Sequence, residues 1–195
     1  MSMAEDNRCD WCHGNQLYTE YHDNEWGTPL FDDEMLFELL ILEGAQAGLS
    51  WITILNKREN YRIAFDRFDP EKIARYDEIK VDSLLSNAGI VRNKLKIRSA
   101  INNAKKLLDL KASEVNFSDF LWDVVDGRPV QNRFETMKVV PASTVISALL
   151  SKKMKHAGFS FVGSTICYAL MQATGMVNDH LVRCPRHRQC REQAL

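Results

Sequence analysis

The apolar residues of this chain return at intervals of three and four, and nowhere do they alternate with polar ones over the length of a strand. Ile97, Ile101, Ala104 and Leu108 follow one another by four, three and four residues, which lines them up on one helix face. Asp32 or Asp33 is placed to cap a helix carrying Met35, Leu36, Leu39, Leu40 and Glu43 on one face. Trp51, Ile54, Leu55, Tyr61 and Phe65 mark a second amphipathic helix, and Phe117, Phe120, Leu121 and Val124 a shorter one. Ser143 or Thr144 opens a helix bearing Ile146, Leu149, Leu150 and Met154, which Gly158 is placed to end. After Phe159–Gly163, a strongly apolar helix is expected from about Ser164 to Thr174. The pattern predicts an all-α protein with short connections, no internal repeat and no low-complexity linker.

A chain of 195 residues can bury a sizeable core, and 45% hydrophobic with 26% charged residues is a soluble, globular composition. No run approaches the roughly 20 apolar residues that span a bilayer, so no membrane partner is expected. The stretch Met1–Arg8 is polar and has no apolar centre, unlike a signal peptide. A reducing, cytoplasmic compartment is therefore expected, where five cysteines suggest metal ligation or free thiols before disulfides. The net charge of −1 argues weakly against nucleic acid as a partner. Charge location matters more than the sum. Arg92, Lys94, Lys96, Arg98, Lys105 and Lys106 lie together without an acid among them, and the tail adds Arg183, Arg186, Arg188 and Arg191. The plain reading of such a run is a solvated helix face.

Several constellations carry chemistry. Cys9 and His22 lie near one end of the chain, His180 and Cys184 near the other. On a helix His180 and Cys184 would share a face, and two cysteines with two histidines make a closed tetrahedral set suited to structural zinc. Cys9-x-x-Cys12 is equally a half-site, which His187 and Cys190 could complete; spacing permits both sets. Glu43 falls on an apolar helix face, where a carboxylate is costly unless it meets a partner or a ligand. Trp11, Tyr18, Tyr21, Trp26 and Trp51 gather in the first quarter of the chain. They serve as core, or, with one carboxylate, as a stacking site for a cationic heterocycle. Between Glu43 and Trp51 two glycines, one of them Gly48, suggest close approach of the backbone to something else. A helix beginning after Gly163 would turn free backbone N–H groups outward, an anion site.

Taken together, Arg8-Cys9-Asp-Trp11, Tyr21-His-Asp-Asn-Glu-Trp-Gly27, Glu43-Gly-x-Gln-Ala-Gly-Leu-Ser-Trp51, Lys57-Arg-Glu-Asn-Tyr61, Phe161-Val-Gly-x-Thr-Ile-Cys-Tyr168 and Met171-Gln-Ala-x-Gly-x-Val-Asn-Asp-His180 strongly resemble the constitutive bacterial 3-methyladenine DNA glycosylase I family. The resemblance runs from Cys9 to Cys184. It implies a helix-hairpin-helix glycosylase fold, one domain of two helical lobes over 1–195, and one structural zinc ion held by Cys9, His22, His180 and Cys184. Cys12 is then an extra cysteine. The implied activity is hydrolysis of the N-glycosidic bond of 3-methyladenine in alkylated double-stranded DNA, with the free base as product. By the same resemblance Tyr21 and Trp51 stack on the flipped base, Glu43 accepts hydrogen bonds from its edge, and Trp11 and Tyr18 form the rim. Leu49 is the wedge with Gln46 beside it, and Gly163, Ser164 and Thr165 hold phosphate after the hairpin. Phe161 departs from the wider superfamily, which commonly has glycine there. Asn178, beside Asp179, takes the place of a catalytic Asp, and Ser164 and Thr165 stand where enzymes that also cut the backbone carry a lysine. A monofunctional enzyme working as a monomer is expected. The basic segment Arg92–Lys106 becomes a candidate phosphate-facing surface. Two rival readings, a DNA-binding hairpin module without catalysis and a zinc-stabilised helical interaction protein, leave the Gly48 loop and the aromatic set with Glu43 without a use.

Overall fold

The computed structural model describes residues 7–193; most of the polar N-terminal stretch, residues 1–6, and residues 194–195 lie outside the described residues. The chain folds as α1 (Gln16–Asn24), α2 (Asp33–Gln46), α3 (Trp51–Leu55), α4 (Arg58–Ala64), α5 (Pro70–Ile73), α6 (Glu78–Ser86), α7 (Lys94–Ala112), α8 (Phe117–Trp122), β1 (Val130–Gln131), α9 (Val145–His156), α10 (Ser164–Ala173), β2 (Val177–Asn178) and α11 (Pro185–Gln193). None of these helices is long and apolar enough to cross a membrane.

Helix α2 is the axis of the molecule. Asp32 caps it, accepting from Met35 N at 2.9 Å. The expected single apolar face is too narrow a description. Phe37, Ile41 and Leu42 are buried as well as Leu36, Leu39 and Leu40, whereas Met35 is 45% exposed. The reason is that α3, α7, α8 and α10 all pack against α2, and a helix enclosed on most sides is apolar around its circumference. Asp33 serves another helix: it accepts from Phe117 N at 3.2 Å and Ser118 N at 2.8 Å, at the start of α8.

The amphipathic run from Trp51 to Phe65 is two helices rather than one. The chain turns at Asn56 and Lys57, where Lys57 N bonds Ile54 O at 2.9 Å. Beyond the turn, the largely buried Arg58 reaches Glu38 and Glu25, each at 2.6 Å. In α7 the buried face passes through Ile97, Ile101, Ala104 and Leu107, with Leu108 turned partly outward. Thr144 caps α9 in a reciprocal box with Ser147, and Gly158 follows its end with φ +86°. Leu149 stays 54% exposed.

Helices α9 and α10 pack closely on each other. A two-residue parallel bridge, Val130 to Val177 and Gln131 to Asn178, departs from an all-helical chain; two residues are too few to leave an alternating pattern. Helices α1, α5, α6 and α11 carry no pattern strong enough to be read in advance. Helix α11 is mostly polar; it buries His187 and Cys190, and Arg186 donates to Thr28 Oγ1 at 2.6 Å.

The basic run is paired only in part. Lys94 and Arg98 meet Glu78, at 3.8 and 2.9 Å, and Lys106 meets Asp109 at 2.8 Å. Lys96 turns inward. The segment thus keeps a positive excess, since two acids meet three of its six cations.

Candidate metal centre and active site

Tyr21 and His22 are consecutive on α1, both are buried, and about 100° of helix rotation separates their directions. Each serves a different site.

On the His22 side, Cys9, His22, His180 and Cys184 bring one ligand atom each within 4.8 Å of one another, and none is more than 2% exposed. Cys9 Sγ lies 3.7 Å from His180 Nδ1, His180 Nδ1 3.2 Å from His22 Nε2, and Cys184 Sγ 3.5 Å from His22 Nε2. Four ligands bonded to one small tetrahedral ion stand about 3.3–3.8 Å apart, so this set fits a metal. The surroundings orient it. His180 Nε2 donates to Trp26 O at 2.9 Å, turning Nδ1 to the cluster, and His22 Nδ1 meets Asp23 Oδ1 at 2.7 Å. Gly27 has φ +77°, and a Cβ there would sit 2.8 Å from His180 Nε2. Hydrogen bonding with Cys9, aided by His180 and His22, holds the Cys184 thiol well below the usual thiol range.

Two sequence expectations change here. His180 and Cys184 are not on a helix. They flank a turn in which Cys184 N bonds Leu181 O at 2.7 Å, because Pro185 starts α11 immediately afterwards. The alternative set is not assembled: Cys12 Sγ donates to Cys9 O at 3.1 Å, and His187 Nε2 donates to Asn132 O at 2.8 Å.

On the Tyr21 side lies Glu43, near the end of α2 and 4% exposed. Its Oε2 is buried without a hydrogen-bond partner, as is Trp51 Nε1. Burial alone pushes the Glu43 carboxyl up to about 8. Burial, followed by the charge of Glu43, raises the Tyr21 hydroxyl well above its ordinary value, so the two groups are neighbours. The Tyr21 and Trp51 rings stand 5.5 Å apart at 46°. Trp11 packs edge-on to Tyr18 at 5.3 Å and to Trp26 at 5.1 Å. Tyr18 accepts from Ile52 N at 2.9 Å, fixing the start of α3. Aromatic faces around an unpaired acid form a place where a flat, electron-poor ring gains both stacking and charge.

Gln46 ends α2, and the loop beyond it carries Gly48 at φ +80° and Leu49 41% exposed. Leu49 N bonds Gln46 O at 2.6 Å, making the loop tight. The α9–α10 connection is pinned from α7: Asn103 Oδ1 accepts from Ser160 N at 2.8 Å, and Asn102 Nδ2 donates to Gly158 O at 2.8 Å. Phe161 has φ +55°, the left-handed backbone that glycine adopts without strain. Gly163 precedes Ser164 and Thr165, the first residues of α10, with no side-chain cap.

One buried network escaped the sequence reading. Asp179 accepts from Tyr168 Oη at 2.5 Å, Gln172 Nε2 at 2.8 Å and Asn132 Nδ2 at 2.6 Å. Asn178 donates to Gln131 Oε1 at 2.8 Å and His187 O at 2.9 Å. Both side chains tie β2 to its surroundings. The adjacency of Asn178 and Asp179 was the only hint in the sequence. A cavity of about 890 Å³ lies at the opposite end of α2, lined by Asp33, Phe37, Asp66, Lys111 and Phe117 among others. Asp33 there caps α8 and Asp66 accepts from Tyr76, so it offers no unmet group comparable to Glu43.

A mostly helical fold with a buried Cys/His cluster on one side of α1, and aromatic rings with one buried unpaired acid on the other, defines the class. The profile of the Methyladenine glycosylase family matches residues 11–187, and the chain belongs to that family. It is 50% identical over 177 residues to the DNA-3-methyladenine glycosylase 1 of Escherichia coli, covering 91% of this chain and 95% of that one. A crystal structure of 3-methyladenine DNA glycosylase I superimposes with a TM-score of 0.90 at 50% identity, covering 91% and 98% of the two chains. A variant of 3-methyladenine DNA glycosylase I solved in complex with 3-methyladenine gives 0.88 at 36% identity, covering 92% and 96%.

Proposed function

We propose that this chain is a monofunctional DNA-3-methyladenine glycosylase that removes the flipped base from alkylated double-stranded DNA. The observation that carries the reading is Glu43, a buried carboxyl whose Oε2 has no hydrogen-bond partner, beside Tyr21 and Trp51. Methylation at N3 makes the adenine cationic and a good leaving group. The bond from C1′ to the base breaks with its electron pair going to the base, which departs neutral. Water supplies the new hydroxyl at C1′ and releases a proton. Glu43 binds and stabilises the cationic ring, Tyr21 and Trp51 stack on it, and Trp11 and Tyr18 shape the rim. No lysine is placed after the hairpin to form a Schiff base.

Extruding the base costs a few kcal/mol. Leu49, with Gln46 and Gly48, fills the gap it leaves. The α9–α10 connection acts as a helix-hairpin-helix element, with the amides of Gly163, Ser164 and Thr165 holding phosphate. The left-handed backbone at Phe161 supports that reading, because it supplies the turn that a glycine gives elsewhere in the superfamily. Cys9, His22, His180 and Cys184 hold one zinc ion. Bound there, zinc supplies a closed, structural tie with no position for a reacting water. We place the enzyme in the cytoplasm as a monomer, its 195 residues forming one domain of two helical lobes.

The test is release of free 3-methyladenine from methylated duplex DNA by the zinc-loaded protein. Loss of the base with the strand left uncut is expected. No release from a folded, zinc-loaded protein would overturn the assignment.

A further inference from the structure

Helix α7 opens with the wrong charge. Its first turn holds Lys94 and Lys96 and no acid, although the amino end of a helix disfavours cations. Lys94 turns outward to Glu78. Lys96 does the opposite: its Nζ donates to Ala45 O at 2.7 Å and to Ala47 O at 2.6 Å. Among the described residues no carboxylate neutralises it, and partial burial draws the ammonium below its usual range. Ala45 and Ala47 straddle the end of α2, where carbonyls lack helical partners and the dipole is negative. An otherwise unfavourable lysine is thus offset by capping a different helix, about fifty residues back.

We propose that Lys96 is a positioning residue for the loop 46–50, bridging the last turn of α2 to the loop and so setting how Leu49 leaves the helix that carries Glu43. The inference rests on the glycosylase reading above. It adds that the loop and the base pocket are separately controlled. The ammonium bonds Ala45 O and Ala47 O while Glu43 Oε2 has no hydrogen-bond partner, so the ammonium acts on the loop and not on the carboxyl. Losing it should impair work on DNA while leaving capture of the free base intact.

The experiment compares Lys96→Met with the wild type, both full-length and metal-loaded. It measures single-turnover excision from methylated duplex DNA and the Kd of free 3-methyladenine by tryptophan fluorescence. Excision is expected to fall about 10- to 100-fold, the scale of an ångström-sized misplacement, with the free-base Kd within about twofold of the wild type. Lys96→Arg should recover part of the loss. In a Leu49→Ala background Lys96→Met should cost far less than alone, because both act through one loop. Unchanged excision, a parallel loss of free-base affinity, or full additivity with Leu49→Ala would each overturn the proposal. Should Lys96→Met fail to fold, Lys96→Gln, which keeps one amide donor, is read by the same two measurements and outcomes. A wild-type protein that binds free 3-methyladenine but excises nothing would count against the glycosylase reading instead, before any variant is compared.

Discussion

Cys9 Sγ lies 3.7 Å from His180 Nδ1 although 171 residues of chain separate them. Bringing such distant residues together closes nearly the whole chain into one loop, and closure entropy grows with loop length. A bound metal that holds this closure stabilises the native state strongly.

Cys184→Ser should therefore lower zinc stoichiometry well below one and reduce Tm by about 10 °C, corresponding to a loss of about 3–5 kcal/mol. Cys12→Ser should leave stoichiometry unchanged, because Cys12 turns to the backbone of Cys9. Metal analysis and thermal melts of the two variants check this; zinc loss in Cys12→Ser would move Cys12 into the ligand set.

Glu43→Gln should weaken excision by about 100-fold or more, by removing the acid that meets the cationic ring, while zinc content stays the same. Its effect on stability has the opposite sign. With the native carboxyl at about 8, the folded state holds a proton that the unfolded chain loses near its ordinary value of about 4.3. Between these values the unfolded state binds fewer protons, so stability falls as pH rises. Glu43→Gln lacks this loss and should gain in Tm over the wild type progressively from about pH 5 to pH 8. Parallel melts across that range decide it; a constant difference would place the native carboxyl near its ordinary value.

Tyr168→Phe removes a buried hydroxyl that donates to Asp179 at 2.5 Å. The expected cost is about 2 kcal/mol of stability, the scale of a hydrogen bond to a charged group. The excision rate should stay within about twofold of the wild type, since Asp179 is committed to structure. Denaturant unfolding and single-turnover kinetics separate the two; a large kinetic loss with normal stability would put Asp179 into the reaction.

Gly175→Ala should cost about 3 kcal/mol, combining strain with overpacking. Gly175 has φ +70°, and a Cβ there would stand 2.4 Å from Thr28 C and 2.5 Å from Pro29 N, both backbone atoms that cannot swing aside. Because Leu30 N also bonds Thr174 O, the substitution should loosen the segment that follows α1. A melt within a degree of the wild type would show that this contact relaxes freely.

What the sequence disclosed follows from where each signal resides. Glu43 was visible because a charge in an apolar helical row stands out locally. The α9–α10 connection was visible because Gly158 and Gly163 bracket it. Lys96 was hidden, since a lysine in a basic run looks solvated until the carbonyls it caps are known. The break between α3 and α4 was hidden for the same reason: Arg58 is drawn aside by Glu25 and Glu38, from two other parts of the chain. Helix α11 lacks an apolar row, and only its docking makes it a helix. Ligand choice lay between: spacing allowed two sets, the family resemblance selected one, and the fold brings its members Cys9, His22, His180 and Cys184 together.

The shared position of Tyr21 and His22 on α1 has a consequence for how the protein is made. His22 leaves the ribosome 158 residues ahead of His180, so α1 can meet α3 through Tyr18 and Ile52 well before its metal-site partners have emerged. Tyr21 is set in place by the same helix. A chain ending before His180 thus carries Glu43, Trp51 and Tyr21 but only two of the four Cys/His residues. Closure of the Cys/His set is therefore a late step, because its members come from both ends of the described chain.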